Sequence, residues 1–167
     1  MIDLTGMLAL RARRIAEGEQ PIGWKLGFAG ARGKLGVDRP LIGFLLESLR
    51  LEDRASVPIG DWTAPAFEAE IAVYVGEGRI GPAIELADVD FPPEDAGRIM
   101  ASNIYHRHVI LGPARPAEPG EVTGRVERNG QEIAANDRPA ELTGDVREVV
   151  RLTEEALAHH GVALQPG

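Results

Sequence analysis

The sequence predicts one α+β domain that is mainly β, on three observations. Short apolar runs rich in β-branched and aromatic residues, bounded by glycine or proline, outnumber the helical patterns. Asn129-Gly130 lies between Val126 and Ile133, and both of its positions tolerate the positive φ of a tight hairpin. No repeat, low-complexity tract or linker divides the 167 residues, a length that supports one sizeable core, so residues 1–167 are expected to fold as a single domain.

Taken in order, Leu8, Leu10 and Ile15 with Arg11, Arg13 and Arg14 predict an amphipathic helix that ends near Glu17-Gly18, its arginines forming a solvated face. Ile22-Gly23-Trp24-Lys25-Leu26-Gly27-Phe28 reads as a strand with one charge. Lys25 is either a partly desolvated functional group or a lysine snorkelling from a strand edge. Gly36 to Leu46 reads as a loop leading into a short buried strand or turn, and Leu49 to Pro65 as a turn-rich passage. Phe67 to Val75 is a strand broken by the glycines from Gly76 to Gly81. Ile104 to Gly112 is another strand-like run, and Val146, Val149, Val150 and Leu157 recur at helical spacing, with a cap near Thr143 and Gly161 as terminator. His159 and His160 fall in the last turn, where they suit the helix dipole.

Composition limits the function classes. A formal net charge of −8 disfavours a general nucleic-acid or anionic-membrane surface, both of which need clustered Lys and Arg. The absence of cysteine excludes disulfides, thiolate metal sites and a cysteine nucleophile. No apolar run has the length of a membrane span, and Met1-Ile2-Asp3-Leu4 does not read as a signal peptide, so a soluble cytoplasmic protein with a small-molecule or protein partner is expected.

The chemistry is concentrated in Phe67-Glu68-Ala69-Glu70-Ile71. Alternation along a strand sends Glu68 and Glu70 to one face, where two like charges repel unless a cation lies between them, and a hard divalent ion suits carboxylates. The competing reading is a solvated edge strand. Glu85, in Pro82-Ala83-Ile84-Glu85-Leu86-Ala87-Asp88, is a candidate third ligand, and Asp88 fits by spacing as well. His106 and His108 also share a strand face, which keeps a mixed histidine and carboxylate site as a rival.

The order of these motifs is more specific than any one of them. Ile22-Gly23-Trp24-Lys25-Leu26-Gly27, Leu35-Gly36-Val37-Asp38-Arg39-Pro40-Leu41-Ile42-Gly43, Phe67-Glu68-Ala69-Glu70-Ile71-Ala72, Pro82-Ala83-Ile84-Glu85, and Ala101-Ser102-Asn103 with Val109-Ile110-Leu111-Gly112-Pro113 closely resemble the 2-keto-4-pentenoate hydratase and 4-oxalocrotonate decarboxylase group of the fumarylacetoacetate hydrolase superfamily. The resemblance implies a mixed β-sheet roll with flanking helices and a Mg²⁺ or Mn²⁺ ion held by Glu68, Glu70 and Glu85. It implies Lys25 and Asp38 as catalytic residues, with Ser102 and Asn103 near the substrate. The implied reaction is addition of water to a 2-hydroxy-2,4-dienoate or its 2-oxo tautomer, giving a 4-hydroxy-2-oxo acid. The same enolate chemistry supports the alternative, decarboxylation of a 4-oxalocrotonate-type 2-oxo acid, and a non-catalytic binding or assembly subunit beside a hydratase or decarboxylase partner is a further reading. Relative to the family the chain is shorter at both ends and between Glu70 and Glu85, which leads to the expectation of a homo-oligomer. It also carries bulky Ile104-Tyr105-His106-Arg107 where small residues follow the asparagine in the family, which predicts a narrower or rearranged pocket.

Overall fold

Glycine and proline cut this chain into short strands, and the computed structural model describes residues 3–27, 35–37, 40–116, 122–139, 141 and 144–166. Asp38, Phe28 and Thr143 lie outside the described residues. Two compact units are present, one made of Met1–Glu68 and Ala83–Gly112, the other of Ala69–Pro82 and Pro113–Gly167. Among the described residues, no helix is long and apolar enough to cross a membrane.

The first unit begins with helix α1 (Thr5–Ala16), followed by strands β1 (Pro21–Gly27) and β2 (Leu41–Leu46), a single 3-10 turn (Glu47–Leu49) and the two-residue strand β3 (Arg50–Leu51). β1 and β2 pair antiparallel, with Lys25 opposite Gly43 and Leu26 opposite Ile42. β2 is a continuous apolar run, Leu-Ile-Gly-Phe-Leu-Leu, and Leu41, Ile42, Phe44 and Leu46 are buried on both of its faces. Each such side chain contributes about 1.5–3 kcal/mol through its removal from water. Leu4 and Met7 at the start of α1 and Ile99 and Met100 of the short helix α2 (Ala96–Ala101) complete this core, with α1 against α2 and α2 against β2.

Long strands β4 (Pro65–Tyr74) and β5 (Arg79–Asp88) run from one unit into the other. In the sheet ordered β3, β6 (His106–Leu111), β5, β4, strand β3 is parallel to β6 and β6 antiparallel to β5, so the sheet is mixed, as expected. β5 starts at Arg79, and Arg79, Ile80 and Gly81 therefore lie within a strand, where a break was expected.

Three further expectations are corrected. Within α1 the buried residue is Met7, beside Leu4 just before the helix, while Leu8 and Leu10 are half-buried and Ile15 is exposed. Arg11 and Arg14 are half-buried, because the Arg11 guanidinium stacks 4.7 Å from the Trp24 ring centroid and Arg14 bonds Glu19 at 2.7 Å. β6 starts at His106, since Asn103, Ile104 and Tyr105 adopt φ of 58°, 54° and 60° and cannot extend a strand.

In the second unit, β7 (Arg115–Pro116) pairs with the beginning of β5, and β8 (Gly124–Arg128) pairs with β9 (Gln131–Asn136) around the expected turn, Asn129 and Gly130 taking φ of 54° and 76°. Helix α3 (Val146–Ala158) is capped by Asp145, whose carboxylate accepts from the Arg147 N–H at 2.8 Å. Its inward residues are Thr153 and Leu157, and Gly161 ends it at φ 71°.

Candidate active site

The buried polar groups of the first unit centre on Lys25 and Glu85. The lysine leaves β1 opposite Gly43, and the missing side chain there is a requirement of space: a Cβ at position 43 would lie 2.9 Å from Lys25 Cγ and 2.7 Å from Asn103 Oδ1. Lys25 is 9% exposed, so the snorkelling alternative does not hold. Its ammonium donates to Glu85 Oε1 and, at 3.2 Å, to the Ile104 carbonyl. Glu85, on β5, is 5% exposed, and the same Oε1 lies 2.9 Å from His106 Nδ1.

The residues between α2 and β6 make this convergence possible. Asn103, Ile104 and Tyr105 form three consecutive left-handed residues, each costing about 1–3 kcal/mol when it is not glycine. Asn suits that region; a β-branched isoleucine does not. The surrounding bonds hold the turn in place, with Ile104 N–H donating to Ile99 C=O at 2.8 Å and His106 N–H to Asn103 C=O at 3.2 Å. The Asn103 amide spans the Phe44 backbone, Oδ1 accepting from its N–H at 2.7 Å and Nδ2 donating to its C=O at 2.9 Å. Ser102 Oγ donates to Ile99 C=O at 2.8 Å. The two residues expected near the substrate thus bond backbone groups: Asn103 those of Phe44, which pairs with Trp24 beside Lys25, and Ser102 that of Ile99 in α2.

Glu68 and Glu70 lie on one face of β4, as alternation predicted, and one carboxylate oxygen from each of Glu68, Glu70 and Glu85 falls within 4.8 Å of the others. Three carboxylates with the Lys25 ammonium carry a formal charge of −2, the complement of a divalent cation, and the all-oxygen donor set is that of a hard ion. The residues present therefore fit Mg²⁺ or Mn²⁺. Crowding shows in the acidities. Loss of solvent around Glu68 and then repulsion from Glu85 push its carboxyl above the usual range, against the pull of Lys25. Burial acts to raise Glu85 as well, but the His106 hydrogen bond and Lys25 outweigh it and hold Glu85 below the usual range.

The alternative ligands are engaged elsewhere. Asp88 Oδ1 accepts from the backbone N–H groups of Thr63 at 2.9 Å and Ala64 at 2.8 Å, and Oδ2 from Arg107 at 3.2 Å. His108 stacks on Trp62 with ring centroids 6.2 Å apart, and among the described residues the only metal-capable group is the glutamate trio. Asp38 lies outside the described residues. His106, which the sequence leaves as a metal ligand or as a histidine bonded to its neighbours, is a partner of Glu85, a pairing that depends on a long-range strand register.

Asp88 gives a pH prediction. The Ala64 N–H chiefly, with Arg107 and the Thr63 N–H, holds its carboxyl below the usual aspartate range despite desolvation. A carboxyl depressed in the folded state adds stability above its unfolded pKa and loses it as pH falls through the folded value. Asp88→Asn is therefore expected to reduce the fall in melting temperature between neutral and acid pH. An unchanged fall would show that this anchor contributes nothing to acid sensitivity.

No family model matches the chain. Over 82 residues, 48% of this chain and 31% of the relative, it is 30% identical to 4-oxalocrotonate decarboxylase of Pseudomonas putida, so the match spans about a third of that protein's length. Two solved structures of 4-oxalocrotonate decarboxylase from Pseudomonas putida G7 match its fold with TM-scores of 0.81 and 0.80 and identities of 25% and 26%, each over 96% of this chain and 70% of the other. The first is complexed with magnesium and adipate, the second with calcium and acetate. Sequence and fold both liken the chain to the group that its ordered motifs resemble. Within it, the particular protein that this chain is similar to is the decarboxylase.

Proposed function

We propose that this protein is a divalent-metal-dependent decarboxylase of a 2-oxo acid whose second carboxylate sits on the saturated carbon next to a carbon–carbon double bond conjugated with the ketone. The observation that supports this most directly is the glutamate trio beside a buried lysine, in a fold shared with a decarboxylase complexed with magnesium and a dicarboxylate. The curated relative and both solved structures are decarboxylases, and the decarboxylase alternative therefore replaces the hydratase reading.

Glu68, Glu70 and Glu85 would hold the ion, which supplies Lewis-acid stabilisation of the negative charge developing on the 2-oxo acid's oxygens. Lys25 has three N–H donors. Among the described residues Glu85 and the Ile104 carbonyl take two, and the third would serve the substrate. In the reaction the bond from carbon to the second carboxylate breaks, carbon dioxide leaves, and the electron pair moves through the conjugated system to the ketone oxygen. The resulting dienolate takes up one proton, and Lys25 is the donor we assign to that step.

Titration with Mg²⁺ and Mn²⁺, with and without oxalate as a chelating mimic, tests the site, because an ion that binds only the folded state raises the melting temperature. A rise enlarged by oxalate and lost in Glu68→Gln, together with carbon dioxide release from a 2-oxo-enedioate, supports the proposal. No rise would overturn the metal site, and water addition without carbon dioxide release would overturn the decarboxylase.

A further inference from the structure

We propose that His106 is a positioning residue for Glu85: by sharing Glu85 Oε1 with Lys25, it fixes the other oxygen, Oε2, as the one presented to a divalent cation. The inference rests on the metal-site reading above and adds a residue that the resemblance does not assign.

Three observations converge on that oxygen. The His106 side chain is 0% exposed, and its Nδ1 lies 2.9 Å from Glu85 Oε1. A carboxylate only accepts, so the hydrogen of this bond is carried by Nδ1, and Oε1 is saturated by one imidazole and one ammonium donor. The strand pairing also changes step here. His106 opposes Ala87 while His108 opposes Leu86, and a bulge of this kind redirects a side chain. Finally, the left-handed turn Asn103–Tyr105 ends at His106, which sets the first residue of β6 while its Ile104 carbonyl reaches the other donor, Lys25. A turn adverse to isoleucine, a register shift and a buried hydrogen bond thus all serve the orientation of one carboxylate.

Packing alone does not account for this arrangement. A histidine kept only for volume would be replaced well by leucine, whereas Nδ1 has a specific acceptor and Nε2 is buried with no partner among the described residues. Outer partners of metal-binding carboxylates and imidazoles characteristically affect affinity by about tenfold to a hundredfold.

The experiment is Mn²⁺ binding without substrate, read by the electron paramagnetic resonance signal of free Mn²⁺ and by thermal shift, in wild type and three variants. His106→Leu is expected to weaken binding by about tenfold to a hundredfold. His106→Asn places an amide nitrogen near the position of Nδ1 and should recover most of the loss. His106→Gln places it near Nε2 instead and should recover little, so the comparison of two polar variants stands even if the leucine variant does not fold. Equal affinity in Asn and Gln variants, or wild-type affinity in His106→Leu, overturns the inference. If wild type itself binds no Mn²⁺, the metal-site reading fails first, and the role of His106 falls with it.

Discussion

Asn103→Ala is expected to be among the most damaging single substitutions in this chain, at about 2–6 kcal/mol. The amide serves the Phe44 backbone twice, as acceptor at 2.7 Å and donor at 2.9 Å, and Phe44 is 2% exposed. Alanine leaves both backbone groups buried without a partner, at about 1–3 kcal/mol each. It also removes the residue type best suited to a φ of 58°. Asn103→Asp separates the two contributions, because it keeps an acceptor for the Phe44 N–H but sets a carboxylate against the Phe44 carbonyl; it too should destabilise. Denaturant midpoints at unchanged slope measure both losses. A loss under about 1 kcal/mol, accompanied by a rise in KM, would mean that the amide acts on the substrate and that its backbone bonds are incidental.

The difference between these roles shows what can be read in a sequence of this kind. Glu68 and Glu70 were legible because alternation on a strand is a local rule, and Glu85 entered beside Asp88 as a carboxylate in an apolar run, with the ordered resemblance then pointing to Glu85 of the two. The Asn129-Gly130 hairpin was legible for a local reason too, as the turn carries its own φ requirement. Asn103 was legible as a site residue, but its partner lies 59 positions away, and nothing near it in sequence indicates that its amide replaces a strand partner for Phe44. His106 was visible only as half of a His-x-His pair. Its bond to Glu85 depends on the β5 to β6 register and the irregularity at Leu86/Ala87, both long-range. The left-handed turn runs against the propensity of Ile104, and it is held by bonds that include Ile104 N–H to the Ile99 carbonyl, Asp88 N–H to the Tyr105 carbonyl and Lys25 to the Ile104 carbonyl. Arg11 and Arg14 misled for a related reason: charge alone predicts a wet helix face, yet a planar guanidinium covers an indole well.

Lys25→Met carries the other large expectation, and its sign can be worked out with and without metal. The Lys25–Glu85 pair is buried, at 9% and 5% exposure, and removing one partner of such a pair costs about 3–5 kcal/mol because a charge is left unpaired. Here His106 remains on Glu85 Oε1 and places the loss toward the lower end. The double variant Lys25→Met with Glu85→Gln should be less destabilised than the sum of the single variants, by about 0.5–3 kcal/mol, since the second change removes the charge that the first exposed. Metal reverses the order. Lys25→Met takes the cluster from a formal charge of −2 to −3, so Mg²⁺ is expected to raise its melting temperature more than that of wild type, replacing part of the missing ammonium. Under the proposed reaction turnover should nevertheless be lost, because the ion cannot supply the proton that the dienolate takes up. Additive losses in the cycle would show that water screens the pair. An equal response to Mg²⁺ in wild type and Lys25→Met would show that the lysine and the cation do not share one electrostatic site.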